Sequence, residues 1–206
     1  MKKIYLLMLL PIALIFMFIL GYKTDEMKTY TELHKIDTAI TAEVTNPDYH
    51  LANTVSSLQQ SFEELVEIGI TFTADQDINK NFDQLNLALN KSNQLAQKLT
   101  QLFEIKSITK LSEVKHQIPD NLKNVIEQEN MRIKQLKNLL NTLKQVNTQL
   151  ADINTVFYNK KNNEVFKYIT TVRESFNQIH EDYTQYSELV NEYTKQKSNL
   201  YSQITS

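Results

Sequence analysis

Between Val165 and Ile204, apolar side chains recur in alternating steps of four and three: Val165, Ile169, Val172, Phe176, Ile179, Tyr183, Tyr186, Val190, Tyr193, Leu200 and Ile204, with Lys197 the one interruption. On a helix this spacing places all of them along a single face for roughly 40 residues. Three further stripes precede it. Leu51, Val55, Leu58, Phe62 and Leu65 form one, whose next seam position is Gly69. Ile78, Phe82, Leu85, Leu89, Ala96, Leu99 and Phe103 form another, with Ser92 at its polar step. Ile133, Leu136, Leu140, Leu143, Leu150 and Phe157 form the last, with Asn147 and Asn154 on its seam. Strands joined by tight turns use glycine and proline freely, whereas this chain has 2 glycines and 3 prolines in 206 residues. An all-β or α/β fold is therefore poorly served.

Helix-ending signals fall between the stripes. In "TNPD", Asn46 is an N-cap candidate and Pro47 fits the first helical position, where its missing amide has no partner to lose. "TADQ" at Thr73 to Gln76 has the form of a capping box. "IPDN" at Ile118 to Asn121 ends one helix and starts the next, and "NKKNN" at Asn159 to Asn163 suits a turn. Four amphipathic segments follow, 47–72, 74–117, 119–158 and 163–204, behind a short juxtamembrane helix over Met27 to Val44. Each buried stripe residue stabilises the fold by about 1.5–3 kcal/mol, so the stripes must cover one another. Short connections between long helices predict antiparallel neighbours. The expected fold is all-α: an elongated antiparallel helical bundle with coiled-coil-like packing behind an N-terminal membrane helix. Heptads serve dimers equally well, so a homo-oligomer stays open. Gly69 admits close approach of another helix or marks the end of its own.

The opening "MKKIYLLMLLPIALIFMFILGYKTDE" predicts location. Ile4 to Leu20 carries no charge, and as a helix it would be roughly 25 Å long against a hydrocarbon core of about 30 Å. Ile4, Leu10, Pro11, Phe16 and Leu20 are candidate membrane-anchor residues. Signal peptidase favours small residues one and three places before the cut, and "FILGYK" puts Ile19 at one of them, which favours an uncleaved signal anchor over a cleaved signal peptide. Lys2 and Lys3 ahead of the run orient it with the amino terminus in the cytoplasm and the bulk of the chain outside. The organisation expected is 1–22 as anchor or signal peptide, 23–46 as juxtamembrane helix or linker, and 47–206 as extracytoplasmic bundle. With 0 cysteines, the exported part must be stabilised by helix packing rather than disulfides.

Catalytic patterns are missing from the sequence. The 4 histidines, His34, His50, His116 and His180, stand in separate segments without spacing that would set two ligands on one helical face. Phosphate loops and the Gly-x-Ser-x-Gly elbow need glycines this chain lacks. A net charge of −2 provides no basic field for nucleic acid. No catalytic, metal or cofactor site is expected, and the chain is not expected to be an enzyme. Most tyrosines of the last stripe suit core packing with hydroxyls at the rim. Tyr158, near the proposed turn, and Tyr201, one place past the seam residue Leu200, are the candidate partner surface.

The segment "YTQYSELVNEYTKQKSNLYSQI", and upstream "FEELVEIGI", together with the export signal and helical middle, resemble the YkyA-type cell-wall-binding lipoproteins of Gram-positive bacteria. That resemblance implies a membrane-held extracytoplasmic helical protein associated with the cell wall, with peptidoglycan or an envelope protein as partner. Tyr22 stands where the family carries its lipidated cysteine, so anchoring would fall to Ile4 to Leu20. The function expected is a membrane-tethered spacer or interaction module of the cell envelope. A membrane-active, oligomerising, toxin-like protein and an extracytoplasmic sensor are the alternatives.

Overall fold

The computed structural model describes residues 27–71, 78–104, 120–159 and 162–205. Within them the chain is helical: α1 over 27–44, α2 Leu51–Thr71, α3 Ile78–Phe103, α4 Asp120–Ala151, α5 Ile153–Asn159 and α6 Asn162–Thr205. None of these helices is long and apolar enough to cross a membrane. Ile4, Leu10, Pro11, Phe16 and Leu20, like the "TADQ" capping box, lie outside the described residues.

Side-chain pairs fix the directions. The Tyr168 hydroxyl donates to the Gln149 carbonyl at one end of the α4–α6 pair, and the Arg132 guanidinium lies over the Tyr193 ring at the other. These two helices are therefore antiparallel. The Ser92–Asn147 hydrogen bond and the Lys137 ammonium over the Phe103 ring make α3 and α4 antiparallel as well. Against α6, α2 is antiparallel through Phe62–Phe176 and Gln59–His180, and α1 is antiparallel through Tyr30–Tyr201 and Asp37–Lys197. Since α1 and α2 run the same way along α6 and meet successive lengths of it, together they form one interrupted column. Among the described residues, one half is thus a four-helix section of α2, α3, α4 and α6. The other, among the described residues, is a three-helix section of α1, α4 and α6.

The heptad stripes form the core. Leu51, Val55, Leu58, Phe62 and Leu65 of α2 and Ile169, Val172, Phe176, Ile179, Tyr186, Tyr193, Leu200 and Ile204 of α6 are buried. On α3 the stripe is wider than the heptad series, because Ala88, Leu95 and Leu102 are buried too. The physical reason is that α3 packs against both α2 and α4, and two neighbours require a broader apolar face than one. Residues 23–46, set apart in the sequence as a juxtamembrane helix or linker, contribute α1 to the same core through Leu33, Ile36, Ile40 and Val44.

Three helix boundaries differ from those predicted. One is the end of α3, at Phe103 rather than at 117, where the Glu104 amide turns back to the Gln101 carbonyl at 3.2 Å. The helix expected over 47–72 starts at Leu51 rather than at Pro47: the Asn46 side chain accepts the Asp48 amide at 3.0 Å, closing a turn, and the first helical bond of α2 runs from the Thr54 amide to the His50 carbonyl at 2.8 Å. The 119–158 segment is broken at Asp152. There the Gln149 carbonyl accepts both the Tyr168 hydroxyl and the Asp152 amide three residues on, and a side chain competing for a helical carbonyl bends the ladder.

Of the two roles open to Gly69, close approach is the one realised. A Cβ there would overlap the Phe157 ring, which meets Phe82 edge-on at 6.5 Å on another side. Alanine would gain about 1 kcal/mol of helix propensity but incur an overlap penalty of about 1–3 kcal/mol. In urea denaturation, Gly69→Ala is expected to lower stability by about 1 kcal/mol in the native background and to raise it by a similar amount beside Phe157→Leu, where the space is opened. Stabilisation in both backgrounds would contradict the packing described.

Candidate functional site: a buried charge cluster beside a helix break

In the three-helix section each helix places a charged residue toward the shared core at one level. On α4, Glu129 and Arg132 are 0% and 1% exposed, and their three-residue spacing puts both on the same helical face. Arg132 donates from Nε and Nη2 to the two carboxylate oxygens of Glu129, each at 2.7 Å, the two-pronged geometry that a planar guanidinium favours. Its Nη1 lies 2.9 Å from Asp37 Oδ1 of α1. The second oxygen of Asp37 accepts from Lys197 of α6 at 2.5 Å. Lys197 also lies 3.1 Å from His34 Nδ1. An ammonium can only donate, so His34 accepts at Nδ1 and carries its neutral-form proton on Nε2.

Tyr193, fully buried, has a cation over its ring at two places: the Arg132 guanidinium 4.8 Å from the centroid and the Lys197 ammonium at 5.7 Å. Both fall within the range where a cation is attracted to an aromatic ring. The cluster holds Asp37 and Glu129 against Arg132 and Lys197, so its formal charge sums to zero.

Burial sets the protonation preferences. It raises the pKa of Glu129, with the Arg132 fork pulling the other way. For Arg132, burial opposes the charge but the bonds to Glu129 outweigh it, and its pKa rises. Burial pushes the Tyr186 phenol up to about 12 and holds Tyr193 well above its ordinary value, so both rings stay neutral at physiological pH. The Tyr193 hydroxyl is buried with no partner among the described residues.

Arg132 and Tyr186 also border a cleft of about 260 Å³ where α1 stops and α2 has not begun, alongside Thr45, His50, Ser187 and Asn191. Among the described residues, no group of three His, Cys, Asp or Glu side chains is placed to hold a metal ion. His180 instead bonds to Gln59 at 2.7 Å across the α2–α6 face.

Of the two candidate surface tyrosines, Tyr201 lies outside the bonded set of this cluster. Tyr201 is half exposed, with its ring 5.4 Å from Tyr30 at the end where α1 begins and α6 finishes. Tyr158 belongs to α5, and its side chain lies outside the described set. Sequence reasoning passed over Glu129, Arg132 and Asp37. A signal for Glu129 was present: counting back from Ile133 by four, three and four gives Glu129, Ile126 and Leu122, so a carboxylate occupies a seam position of α4.

No family model matches this chain, and neither a curated protein nor a solved structure shows significant similarity to it.

Removing one member of a buried ion pair leaves its partner charged and dry, which costs about 3–5 kcal/mol, whereas replacing both by apolar residues is often neutral or stabilising. Arg132→Met is expected to lower unfolding free energy by about that amount in urea. The double variant Glu129→Leu/Arg132→Met should recover most of the loss. A single variant as stable as the native chain would contradict the pairing.

Proposed function

We propose that this protein is a membrane-tethered, extracytoplasmic module of the bacterial cell envelope, whose helical bundle acts as a spacer or interaction surface for cell-wall polymer or an envelope protein and carries out no catalysis. The observation that carries the reading is the position of the bundle's amino-terminal end. The apolar run stops at Leu20, and the described part of α1 opens at residue 27. The start of α1 lies beside the end of α6, where Tyr30 and Tyr201 meet. A span formed by Ile4 to Leu20 would therefore hold the molecule by one end of its long axis.

From that end α6 continues for 44 residues, about 66 Å at ~1.5 Å per residue. The charge cluster fits this reading as a clamp, since Asp37 ties α1, the helix nearest the tether, to α4 and α6 by two ion pairs. Lys2 and Lys3 favour an amino terminus in the cytoplasm with the bundle outside.

Fractionation of bacteria expressing the full chain tests the tether. The expected result is recovery in carbonate-washed membranes, with the amino-terminal sequence beginning at Met1 or Lys2 and the bundle open to protease added to spheroplasts. Recovery in the medium as a species starting near Tyr22 would overturn it.

A further inference from the structure

A net charge of −2 conceals a segregation of charge across the four-helix section. Residues 84–103 of α3 and 133–151 of α4 carry Lys91, Lys98, Lys134, Lys137 and Lys144 and no aspartate, glutamate or arginine. All of these lysines are exposed. On α6 the sign is reversed: Glu174, Glu181 and Glu188 are exposed and follow one another by a heptad, with no lysine or arginine between them. Among the described residues, the ion pairs join Lys35, Arg132, Arg173 and Lys197 to Glu32, Asp37, Glu63 and Glu129. Neither the lysines nor the glutamates named above take part in them.

The lysines fall into one row. Lys137 lies over the Phe103 ring at 5.2 Å, which places it on the seam between α3 and α4. Lys144, one heptad on, shares that side, and Lys134 is a turn away. The antiparallel Ser92–Asn147 bond and the Lys137–Phe103 contact fix the register, so Lys98 stands level with Asn141 and Lys91 with Thr148. The positions therefore succeed one another every ~4.5–6 Å along the axis, over ~21 Å in all, at ~1.5 Å per residue. Glu174 to Glu188 spans the same ~21 Å. The Thr142–Asp182 bond at 2.8 Å sets Glu181 at the height of the middle of the lysine row. The two rows face apart, because α3 and α6 each pack against α2 and α4 and so occupy opposite corners of the section.

Equal length, equal height and opposite sign make each molecule complementary to a copy of itself moved sideways. Such a contact uses a different face on each copy and leaves one row of each sign free, so it propagates instead of closing. Single exposed ion pairs contribute little in water, but a row of them between molecules confined to one surface gains from the raised effective concentration.

We propose that a second copy of this chain docks its α6 glutamate row on the α3–α4 lysine row, so that tethered molecules line up side by side. The orientation rests on the membrane tether proposed above, which holds all copies the same way up and brings the rows together without an axial shift.

The test uses the full chain in phosphatidylcholine vesicles, labelled with donor or acceptor at Ser198→Cys, an exposed position beyond both rows. Flotation with the vesicles reports the tether, and energy transfer between copies reports the docking. Transfer above that of randomly placed copies is expected at about 10 mM salt and should fall at least about threefold at about 1 M, where screening acts within ~3 Å. Lys91→Glu/Lys98→Glu/Lys144→Glu and Glu174→Lys/Glu181→Lys/Glu188→Lys should each abolish the transfer alone and recover it when mixed. Lys123→Glu/Lys167→Glu/Lys195→Glu, the same change of charge placed elsewhere, should keep it. A chain that floats without salt-sensitive transfer, loss in the lysine variant but not in the glutamate variant, or equal loss in the control triple would overturn the proposal and leave the tether standing. A chain that does not float would overturn the tether and the side-by-side row with it.

Discussion

A helix as long as α6 can keep its apolar face dry only if other helices cover that face from end to end. Its buried residues run from Ile169 to Ile204, so the cover must extend for most of 44 residues. On one side α4 supplies it, running antiparallel from the Gln149 end to the Arg132 end. On another side the cover comes in two pieces, α2 against the first half and α1 against the second. The cleft follows from that division, while the fall from four helices to three among the described residues comes from α3, which pairs with α2 and α4.

The same constraint explains why the charge cluster can exist. Seam positions of long helices are desolvated, and an isolated charge there would be strongly unfavourable. Lys197 interrupts the α6 stripe, Glu129 interrupts the α4 stripe, and Asp37 lies on α1 beside Ile36. Each is tolerated because the others meet it at the same level. A misregistered pairing of α1 would leave Arg132 or Lys197 without Asp37, so the cluster favours one alignment of the three helices even where its net contribution to stability is small. In the four-helix section, the Ser92–Asn147 bond at 2.7 Å, extended by Asn147 to Asn93 at 2.9 Å, gives α3 and α4 a comparable alignment.

Element type was legible in the sequence because period and composition agreed: long stripes at steps of three and four, with almost no glycine or proline, leave helix as the consistent solution. The ends of α6 were legible for the same reason. Less visible was the start of α2, because an Asn-Pro pair serves equally as a helix entry or as a turn, and only the side-chain bond of Asn46 to Asp48 distinguishes them. The break at Asp152 depends on the Tyr168 hydroxyl, 19 residues in sequence from the Gln149 carbonyl it bonds, which no local pattern encodes. The cluster lay partly in view as charges on seams, but which charge meets which is settled by helix adjacency. The cleft was invisible, being a space bounded by residues from 41 to 191.

The central claim is that α1 and α2 cover successive lengths of α6 within one chain. The chain has 0 cysteines, so introduced pairs can be read without ambiguity. Tyr30→Cys with Tyr201→Cys, and separately Gln59→Cys with His180→Cys, treated with a short thiol-to-thiol crosslinker and run on a denaturing gel, test it directly. Both pairs should close within single chains, giving faster-migrating monomers that do not depend on protein concentration. Failure of either pair to close, or its appearance as a crosslinked dimer, would contradict the account.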